Sequence, residues 1–248
     1  MDFGIHGKWA VIGASSQGLG FGCADALAAE GVNLVVNARR AGPLAEAADR
    51  LRSHGVMVHD IAGDISDPSV RASLLDAAPQ VDILVTNAGG PPRGDFRDWD
   101  QDDWLAALKQ NMLTPVELIK ATVDSMAERG FGRVVNITSG AVKAPIAQLG
   151  LSNGARSGLT GFVAGVARQP QLASANVTVN NLLPGRFATA RLAQTGDGAA
   201  PSTDGIPAGR FGDPAEFGAT CAFLCSAQAG YITGQNVLID GGAYPGTL

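Results

Sequence analysis

The sequence predicts an α/β fold in which one doubly wound parallel sheet carries helices on both faces. Short runs of valine, isoleucine and leucine alternate with segments whose apolar residues have helical spacing. The runs are apolar at consecutive positions, which is typical of parallel strands that are buried on both sides. A glycine-rich turn joins the first run to the first helix. The chain of 248 residues shows neither a repeat nor a linker, so we expect one domain, 1–248.

The strands are predicted from their valine-rich composition and their short length. They are expected at 9–13, 32–37, 56–64, 81–89, 132–139, 176–185 and 235–240. The helices are predicted between them from apolar residues three and four positions apart, and one of them ends at Gly55, which is a common helix terminator. They are expected at 21–31, 43–55, 68–78, 101–129, 154–169 and 213–227.

Composition and charge exclude several classes of function. The chain is 46% hydrophobic with a net charge of −5, which gives no reason to expect a nucleic acid or an anionic membrane as partner. The first residues lack a secretory signal, and no apolar run would span a bilayer, so a cytoplasmic protein is expected. Cys23, Cys221 and Cys225 have no metal-site spacing, and we interpret them as reduced, packed thiols without a metal.

The segment GASSQGLG, residues 13–20, lies directly between the first predicted strand and the first predicted helix. Glycines there allow the backbone to approach a pyrophosphate, and the helix N-terminus supplies N–H donors and a positive dipole end. This context predicts a dinucleotide site on a Rossmann-type domain. The residues expected to line the cofactor here are Gly13, Ser15, Ser16, Gly18, Leu19 and Gly20.

The end of the second strand indicates which dinucleotide binds. An acidic residue there would accept hydrogen bonds from the adenosine ribose, but the sequence has Ala38 followed by Arg39 and Arg40. A guanidinium pairs well with a phosphate dianion. NADP(H) is therefore favoured over NAD(H), with Arg39 as the ligand of the 2′-phosphate. The alternative is that both arginines are solvated at the start of a helix.

Further motifs follow in order: GDIS at 63–66, TNAG at 86–89, NITS at 136–139 and PGRFAT at 184–189. Together with the glycine turn they resemble the short-chain dehydrogenase/reductase family over nearly the whole chain, and its 3-oxoacyl-carrier-protein-reductase-like members most of all. The resemblance places Ala14 at the first glycine of the family's TGxxxGxG turn. An alternative alignment keeps Gly13 as that glycine and inserts one residue.

The resemblance implies roles for individual residues. Asp64 would contact adenine, Thr189 would hold the nicotinamide carboxamide, Asn111 would support a proton-relay water, and Ser139 would bind the substrate carbonyl. The family also implies a homotetramer, or a homodimer, that acts on a small-molecule substrate. The cofactor residues implied beyond the glycine turn are Asp64, Ile65, Asn87, Ala88, Gly89, Arg156, Pro184, Gly185 and Thr189.

The family's catalytic tyrosine and lysine have no counterparts. Counting from Ser139 at the family's spacing leads to Ser152 and Arg156, and neither Tyr231 nor Tyr244 aligns with position 152. Arg156 is expected to hold ribose hydroxyls as the lysine would. It does not titrate near neutral pH, and a serine hydroxyl is a poor general acid, so the proton must come from elsewhere.

Lys143 is one candidate for the proton donor, because it follows Ser139 by four residues. A partly buried lysine beside Arg156 would have a lowered pKa, which suits acid–base catalysis. The alternatives are that Lys143 is an exposed loop residue and that a water chain through Asn111 delivers the proton. The predicted catalytic set is Ser139, Asn111, Lys143, Ser152 and Arg156.

The segment TGDGAAPSTDG, residues 195–205, is rich in small residues and follows the PGRFAT motif. In a doubly wound sheet this position borders the ligand crevice, so a substrate lid near 190–208 is expected, and a surface loop without a role is the alternative.

Three functions remain open at this point. The favoured one is an NADP(H)-dependent oxidoreductase that transfers hydride to or from a small carbonyl or alcohol, or an activated C=O or C=N group, with an atypical proton donor. The second is a catalytically silent NADP(H)-binding protein. The third is a non-redox enzyme on the same scaffold, similar to the halohydrin dehalogenases, which also pair the active-site serine with an arginine but keep the tyrosine.

Overall fold

Seven parallel strands form one sheet at the centre of the molecule, in the order β3-β2-β1-β4-β5-β6-β7. The computed structural model describes residues 2–193 and 201–247. Helices cover both faces of the sheet, which confirms the predicted doubly wound α/β fold. The strands are β1 Trp9–Ile12, β2 Asn33–Ala38, β3 Val58–Ala62, β4 Ile83–Thr86, β5 Gly132–Ile137, β6 Val177–Pro184 and β7 Asn236–Ile239.

The helices of the described residues alternate with these strands. They are α1 Gly18–Ala29, α2 Ala41–Arg52, α3 Pro68–Asp76, α4 Gln101–Leu108, α5 Thr114–Glu128, α6 Gly150–Val166, α7 Pro170–Ala173, α8 Ala190–Ala193 and α9 Pro214–Cys225. The single helix expected at 101–129 is divided by a π-helical turn, Lys109–Leu113. The helix expected from residue 154 begins at Gly150, because the loop before it is shorter than its composition suggested. The short helices α7 and α8 were not predicted.

The order of the strands fixes where a ligand would bind. β1 lies between β2 and β4, with Val11 paired to Val35 on one side and to Leu84 on the other. The chain runs outward from β1 to β3 and then returns to β4. This reversal opens a crevice beyond the carboxyl ends of β1 and β4, which is the usual ligand position in open α/β sheets.

The core is divided between the two faces of the sheet. Neighbouring residues of β1 point in opposite directions, so Ile12 packs with Leu27 and Phe217 while Val11 packs with Leu118 on the other face. Each of these side chains is almost fully buried. Burial of one such side chain stabilises the fold by about 1.5–3 kcal/mol, and burial on both faces accounts for the continuous apolar strands.

Helices α1 and α9 pack closely enough that their backbones touch. A Cβ atom added to Gly22 would overlap the carbonyl oxygen of Pro214, and one added to Gly218 would overlap the carbonyl oxygen of Gly22. The three cysteines lie in the same layer, all buried and free. A hydrogen bond with Cys221, together with burial, raises the pKa of the Cys225 thiol. These thiols are reduced and packed, as predicted. None of the described helices is both long and apolar enough to cross a membrane.

Candidate active site

The glycine turn after β1 lies in the crevice. A Cβ atom on Gly13 would come within 2.5 Å of the Asn87 carbonyl oxygen, and one on Gly20 would overlap the carbonyl oxygen of Ala14. Gly18 has a φ of +61°, a left-handed conformation that glycine adopts without strain. The turn therefore needs glycine at these positions: Gly13 and Gly20 because neighbouring backbone leaves no room for a side chain, and Gly18 because of its conformation.

Ala14 also adopts a left-handed conformation, with a φ of +46°. The carbonyl oxygen of Ala14 accepts a hydrogen bond from Asn87 Nδ2 at 3.2 Å. An alanine in this region is strained by its Cβ atom, whereas glycine is not. The contact with Asn87 ties the turn to the loop after β4, which keeps Ala14 in the strained conformation.

The N-terminus of α1 has N–H groups without side-chain partners. Its N-cap residue, Gln17, makes no capping hydrogen bond, and no acidic residue lies in the first turn. Such an end binds anions through its N–H groups and the helix dipole. Thr189 borders it, with its methyl carbon 3.5 Å from the position of a Cβ atom on Gly18.

Ser15 faces away from the crevice. Its hydroxyl donates a hydrogen bond to the Ile12 carbonyl oxygen at 3.1 Å and accepts one from the Asn37 N–H at 3.1 Å. The residue is fully buried. The Ser15 side chain therefore joins β1 to β2, and the neighbouring Ser16, which is half-buried, lies closer to the surface of the turn.

The carboxyl ends of β2 and β3 bring a cation and a carboxylate together. Asp64, after β3, accepts a hydrogen bond from the Ser66 N–H at 2.9 Å. This bond lowers the pKa of Asp64, and the charge of Arg39 lowers it further. Arg39 is exposed just beyond β2, so its guanidinium is available at this edge. Ile65 is buried below, with Cδ1 2.9 Å from the position of a Cβ atom on Gly13.

Ser139 and Asn111 reach the crevice from β5 and from the π-helical turn. The hydroxyl of Ser139 accepts a hydrogen bond from the Ala141 N–H at 3.1 Å. Asn111 is buried, and its Nδ2 donates to the Ala107 carbonyl oxygen at a long 3.4 Å. π-Helical turns inside α-helices occur frequently at functional sites. The divided helix thus buries the Asn111 amide, and its part in a proton relay stays a prediction.

Ser152 and Arg156 form a pair on one face of α6. Nη1 of Arg156 donates a hydrogen bond to Oγ of Ser152 at 2.5 Å. Ser152 is buried and Arg156 is partly buried. Burial lowers the pKa of Arg156 to about 10, and the positive charge of Arg191 contributes to that lowering. The pair is thus a serine hydroxyl held by a guanidinium that stays charged at neutral pH.

Arg191, in α8, approaches Arg156 across the crevice. Its Nη2 donates a hydrogen bond to the Pro91 carbonyl oxygen at 3.0 Å. A Cβ atom on Gly90 would lie 3.0 Å from Nη2 of Arg191 and 3.7 Å from Nη1 of Arg156. The two guanidinium groups therefore meet beside Gly90, where the chain leaves β4.

Lys143 points towards the C-terminal segment. Its Nζ lies 5.7 Å from the centre of the Tyr244 ring. We expected Lys143 beside Arg156, but the positive charge that lowers the pKa of Arg156 is that of Arg191. The fold therefore brings Lys143 to Tyr244 and Arg191 to Arg156, and the role of Lys143 as a proton donor stays a prediction.

Comparison with known proteins agrees with this architecture. The family model described as Enoyl-(Acyl carrier protein) reductase matches residues 13–244. The chain is 31% identical to the 3-oxoacyl-acyl-carrier-protein reductase FabG of Vibrio cholerae, covering 97% of this chain and 98% of that protein. It is 33% identical to dehydrogenase/reductase SDR family member 4 of Bos taurus, covering 96% and 88%. The chain belongs to the short-chain dehydrogenase/reductase family.

Solved structures extend the likeness to three dimensions. YwfH, an NADPH-dependent reductase involved in bacilysin biosynthesis, has a TM-score of 0.91 at 29% identity, over 97% of this chain and all of the other. L-Sorbose reductase from Gluconobacter frateurii, complexed with NADPH and L-sorbose, also has a TM-score of 0.91 at 29% identity, over the full length of both chains. This short-chain dehydrogenase/reductase therefore has the family's architecture from end to end.

The backbone conformation of the glycine turn distinguishes between the two alignments of this turn with the family motif. Ala14 has the left-handed φ that a glycine would adopt, whereas Gly13 does not. This geometry favours the alignment in which Ala14 stands at the family's first glycine without an insertion. The rest of the family-derived set surrounds the same crevice at the carboxyl ends of the strands: Asn87, Ala88 and Gly89 after β4, and Pro184, Gly185 and Thr189 at the end of β6.

Arg191 was not among the residues predicted from the sequence. The residue stands two positions after Thr189, inside the segment expected to form the lid near 190–208. Of that segment, 190–193 and 201–208 are described, and 194–200 lie outside the described residues. The sequence feature that pointed to Arg191 as a site residue was its position so close to the PGRFAT motif. The lid itself, like the homotetramer and the cytoplasmic location, stays a prediction.

Proposed function

We propose that the protein is an NADP(H)-dependent oxidoreductase that transfers hydride to or from a small carbonyl or alcohol, or an activated C=O or C=N group. The observation that carries the proposal is the glycine turn, where close backbone packing requires Gly13 and Gly20 and the N-terminus of α1 offers N–H groups without a side-chain cap. The relatives support it, since YwfH and L-sorbose reductase are both described with NADPH.

The residues present fit the cofactor. The N–H groups at the start of α1 would hold the pyrophosphate, Arg39 the 2′-phosphate, Asp64 the adenine and Thr189 the nicotinamide carboxamide. An exposed Arg39 close to Asp64 supports this assignment, because the adenosine end of the cofactor would lie between them. When bound, the nicotinamide supplies or accepts the hydride.

On the substrate side we assign Ser139 and Ser152 to the carbonyl oxygen. Arg156 donates to Oγ of Ser152, which leaves the Ser152 hydroxyl hydrogen free to point into the crevice. The guanidinium also stabilises negative charge that develops on the carbonyl oxygen during reduction. Arg156 thus takes the positioning part of the family's tyrosine–lysine pair, without supplying a proton at neutral pH.

The proton, in this proposal, reaches the carbonyl oxygen through water held by Asn111. The buried amide of Asn111 has only a long hydrogen bond to the Ala107 carbonyl oxygen, so it can bind a water molecule. Lys143 remains a second candidate for the donor. Proton transfer contributes about a hundred- to ten-thousand-fold to such rates, so a slow reductase is expected with ordinary ketones.

Titration with NADPH and NADH, followed by nicotinamide fluorescence, tests the cofactor assignment. We expect NADPH to bind more tightly, and Arg39→Gln to weaken NADPH binding about 10- to 100-fold while leaving NADH binding unchanged. Arg168→Gln, which removes the same charge from an exposed position beyond α6, is the matched control. Failure of both nucleotides to bind the wild-type protein would overturn the proposed function.

Measurements of turnover distinguish proton delivery through water at Asn111 from proton delivery by Lys143. With NADPH and a panel of ketones, activated carbonyls and imines, Ser139→Ala is expected to lower kcat/KM at least tenfold. Lys143→Ala distinguishes the donors: loss of a pH-dependent step would identify Lys143, and an unchanged pH profile would favour the water route.

A further inference from the structure

Arg156 and Arg191 form a cationic cluster beside Gly90, and the proposed chemistry gives Arg191 no role. Arg156 comes from α6 and Arg191 from α8, and both guanidinium groups approach the same point at the end of β4, 3.7 Å and 3.0 Å from a Cβ position on Gly90. Like charges repel, so an anion bound between the two guanidinium groups, of which Arg156 is partly buried and Arg191 is exposed, would be attracted by both.

Within residues 2–193 and 201–247 no carboxylate compensates these charges. The ion pairs recorded for that part of the chain involve other arginines, such as Arg52 and Arg210. Arg156 is bonded to a serine hydroxyl and Arg191 to a backbone carbonyl oxygen, through one nitrogen each. A guanidinium has five N–H donors, so most of those in the cluster remain available to a ligand.

We propose that Arg156 and Arg191 bind the carboxylate of an anionic carbonyl substrate. The proposal rests on the proposed function and names its substrate class, an oxo acid. A planar guanidinium binds a carboxylate through two parallel hydrogen bonds, and two of them fix both its position and its orientation. The lowered pKa of Arg156, about 10, is consistent with this role, since it records a guanidinium that is desolvated beside a second cation.

The position of the cluster favours the substrate over a phosphate of the cofactor. Arg156 is bonded to Ser152, one of the two serines assigned to the carbonyl oxygen, so the anion lies on the substrate side. The phosphates have donors of their own, the N–H groups at the start of α1 and the guanidinium of Arg39. Arg191 also bridges α8 to Pro91, and a bound carboxylate would hold these two segments together.

Matched pairs of acid and neutral probes test the proposal. The substrates are 4-oxopentanoate and its methyl ester. In each, the ketone carbon gains a hydride and the ketone oxygen gains a proton. The unreactive probes are pentanoate and pentanamide. Wild type, Arg191→Gln, Arg191→Lys and the control Arg168→Gln are compared. The readouts are kcat and KM with NADPH, the Kd of NADPH from nicotinamide fluorescence, and the rise in Tm caused by each unreactive probe without nucleotide.

We expect the wild type to prefer the acid of each pair. Arg191→Gln should raise KM for 4-oxopentanoate about tenfold or more, leave the ester unchanged and abolish the rise in Tm with pentanoate. Arg191→Lys should retain part of the preference for the acids, because lysine keeps the positive charge but lacks the two parallel N–H donors of a guanidinium. The Kd of NADPH and the behaviour of Arg168→Gln should not change.

Two results overturn the proposal while the proposed function stands: no preference for the acids in a protein that binds NADPH, or a preference that Arg191→Gln leaves intact. A higher Kd for NADPH in Arg191→Gln, with unchanged acid binding, would assign the cluster to a cofactor phosphate and also overturn it. If NADPH does not bind at all, the proposed function fails. A rise in Tm with pentanoate that depends on Arg191 would still support the anion site.

Discussion

The hydroxyl of Ser152 and the guanidinium of Arg156 are joined by a 2.5 Å hydrogen bond across one turn of α6. In the short-chain dehydrogenase/reductase family a tyrosine and a lysine are expected at this spacing. The bond makes Ser152 and Arg156 a unit, because Arg156 fixes the position of the Ser152 hydroxyl oxygen. In the function proposed above, Ser152 orients the carbonyl and the proton is delivered by another group.

We predict that the double variant Ser152→Tyr/Arg156→Lys reduces a neutral ketone faster than the wild type. A phenol beside a lysine restores a general acid, and such a group contributes about a hundred- to ten-thousand-fold to the rate. The measurement is kcat with NADPH and the methyl ester of 4-oxopentanoate. Ser152→Phe/Arg156→Lys has the same bulk without the hydroxyl and should gain nothing. Equal rates for the two double variants would mean that the missing phenol is not what limits the enzyme.

Ala14→Gly is predicted to stabilise the protein. The left-handed φ of +46° is strained for alanine by about 1–2 kcal/mol, and the greater freedom of glycine in the unfolded chain offsets part of the gain. A net increase of about 0.5–1 kcal/mol in the free energy of unfolding is expected from urea denaturation. Ala45→Gly, at an exposed site inside α2, should destabilise by about 1 kcal/mol. A loss of stability in Ala14→Gly would contradict the strain.

Gly22→Ala and Gly161→Ala should have opposite effects on stability. At Gly22 a methyl group would overlap the Pro214 carbonyl oxygen, so α1 and α9 must separate, at a cost of about 1–3 kcal/mol. At Gly161, on an exposed face of α6, a methyl group meets nothing within 4 Å, and the higher helix propensity of alanine should stabilise by about 1 kcal/mol. Thermal denaturation of both variants gives the comparison, and changes of the same sign would rule out the close contact.

The start of α9 is predicted to make stability depend on pH in the acid range. Hydrogen bonds from Arg210 and from the Asp213 N–H lower the pKa of Glu216 to about 2. Because the folded pKa lies below the ordinary value, this carboxylate stabilises the folded state above about pH 4.5, and the contribution disappears as the pH falls towards 2.

Glu216→Gln should therefore lower the Tm at pH 6–7, and its difference from the wild type should shrink between about pH 4.5 and 2. Glu46→Gln, at an exposed position in α2 outside the recorded ion pairs, is the control and should show little difference at any pH. A difference between Glu216→Gln and wild type that stays constant down to pH 2 would mean that the carboxylate is not held by Arg210 as described.

Much of the fold and of the cofactor side follows from local patterns. Apolar runs of strand length predicted the central strands, because a strand buried on both faces is apolar at consecutive positions; the two edge strands β3 and β7 are more exposed and were predicted from their valine, isoleucine and leucine content. The glycine turn and the motifs containing Asn87 and Thr189 predicted the crevice, since parallel strands bring their carboxyl ends to one edge of the sheet. The π-helical turn around Asn111 escaped prediction, because one extra residue in a helix leaves the apolar spacing almost unchanged.

The sequence by itself determined the α/β class and the order of elements, because these depend on residue type and spacing along the chain. Only the tertiary structure decided which side chains meet. It turned Ser15 into the sheet, directed Lys143 to Tyr244 and brought Arg191 to Arg156 beside Gly90. Such contacts join segments far apart in the chain. They depend on how the loops cross the edge of the sheet and on the direction of each side chain, and spacing along the chain encodes neither.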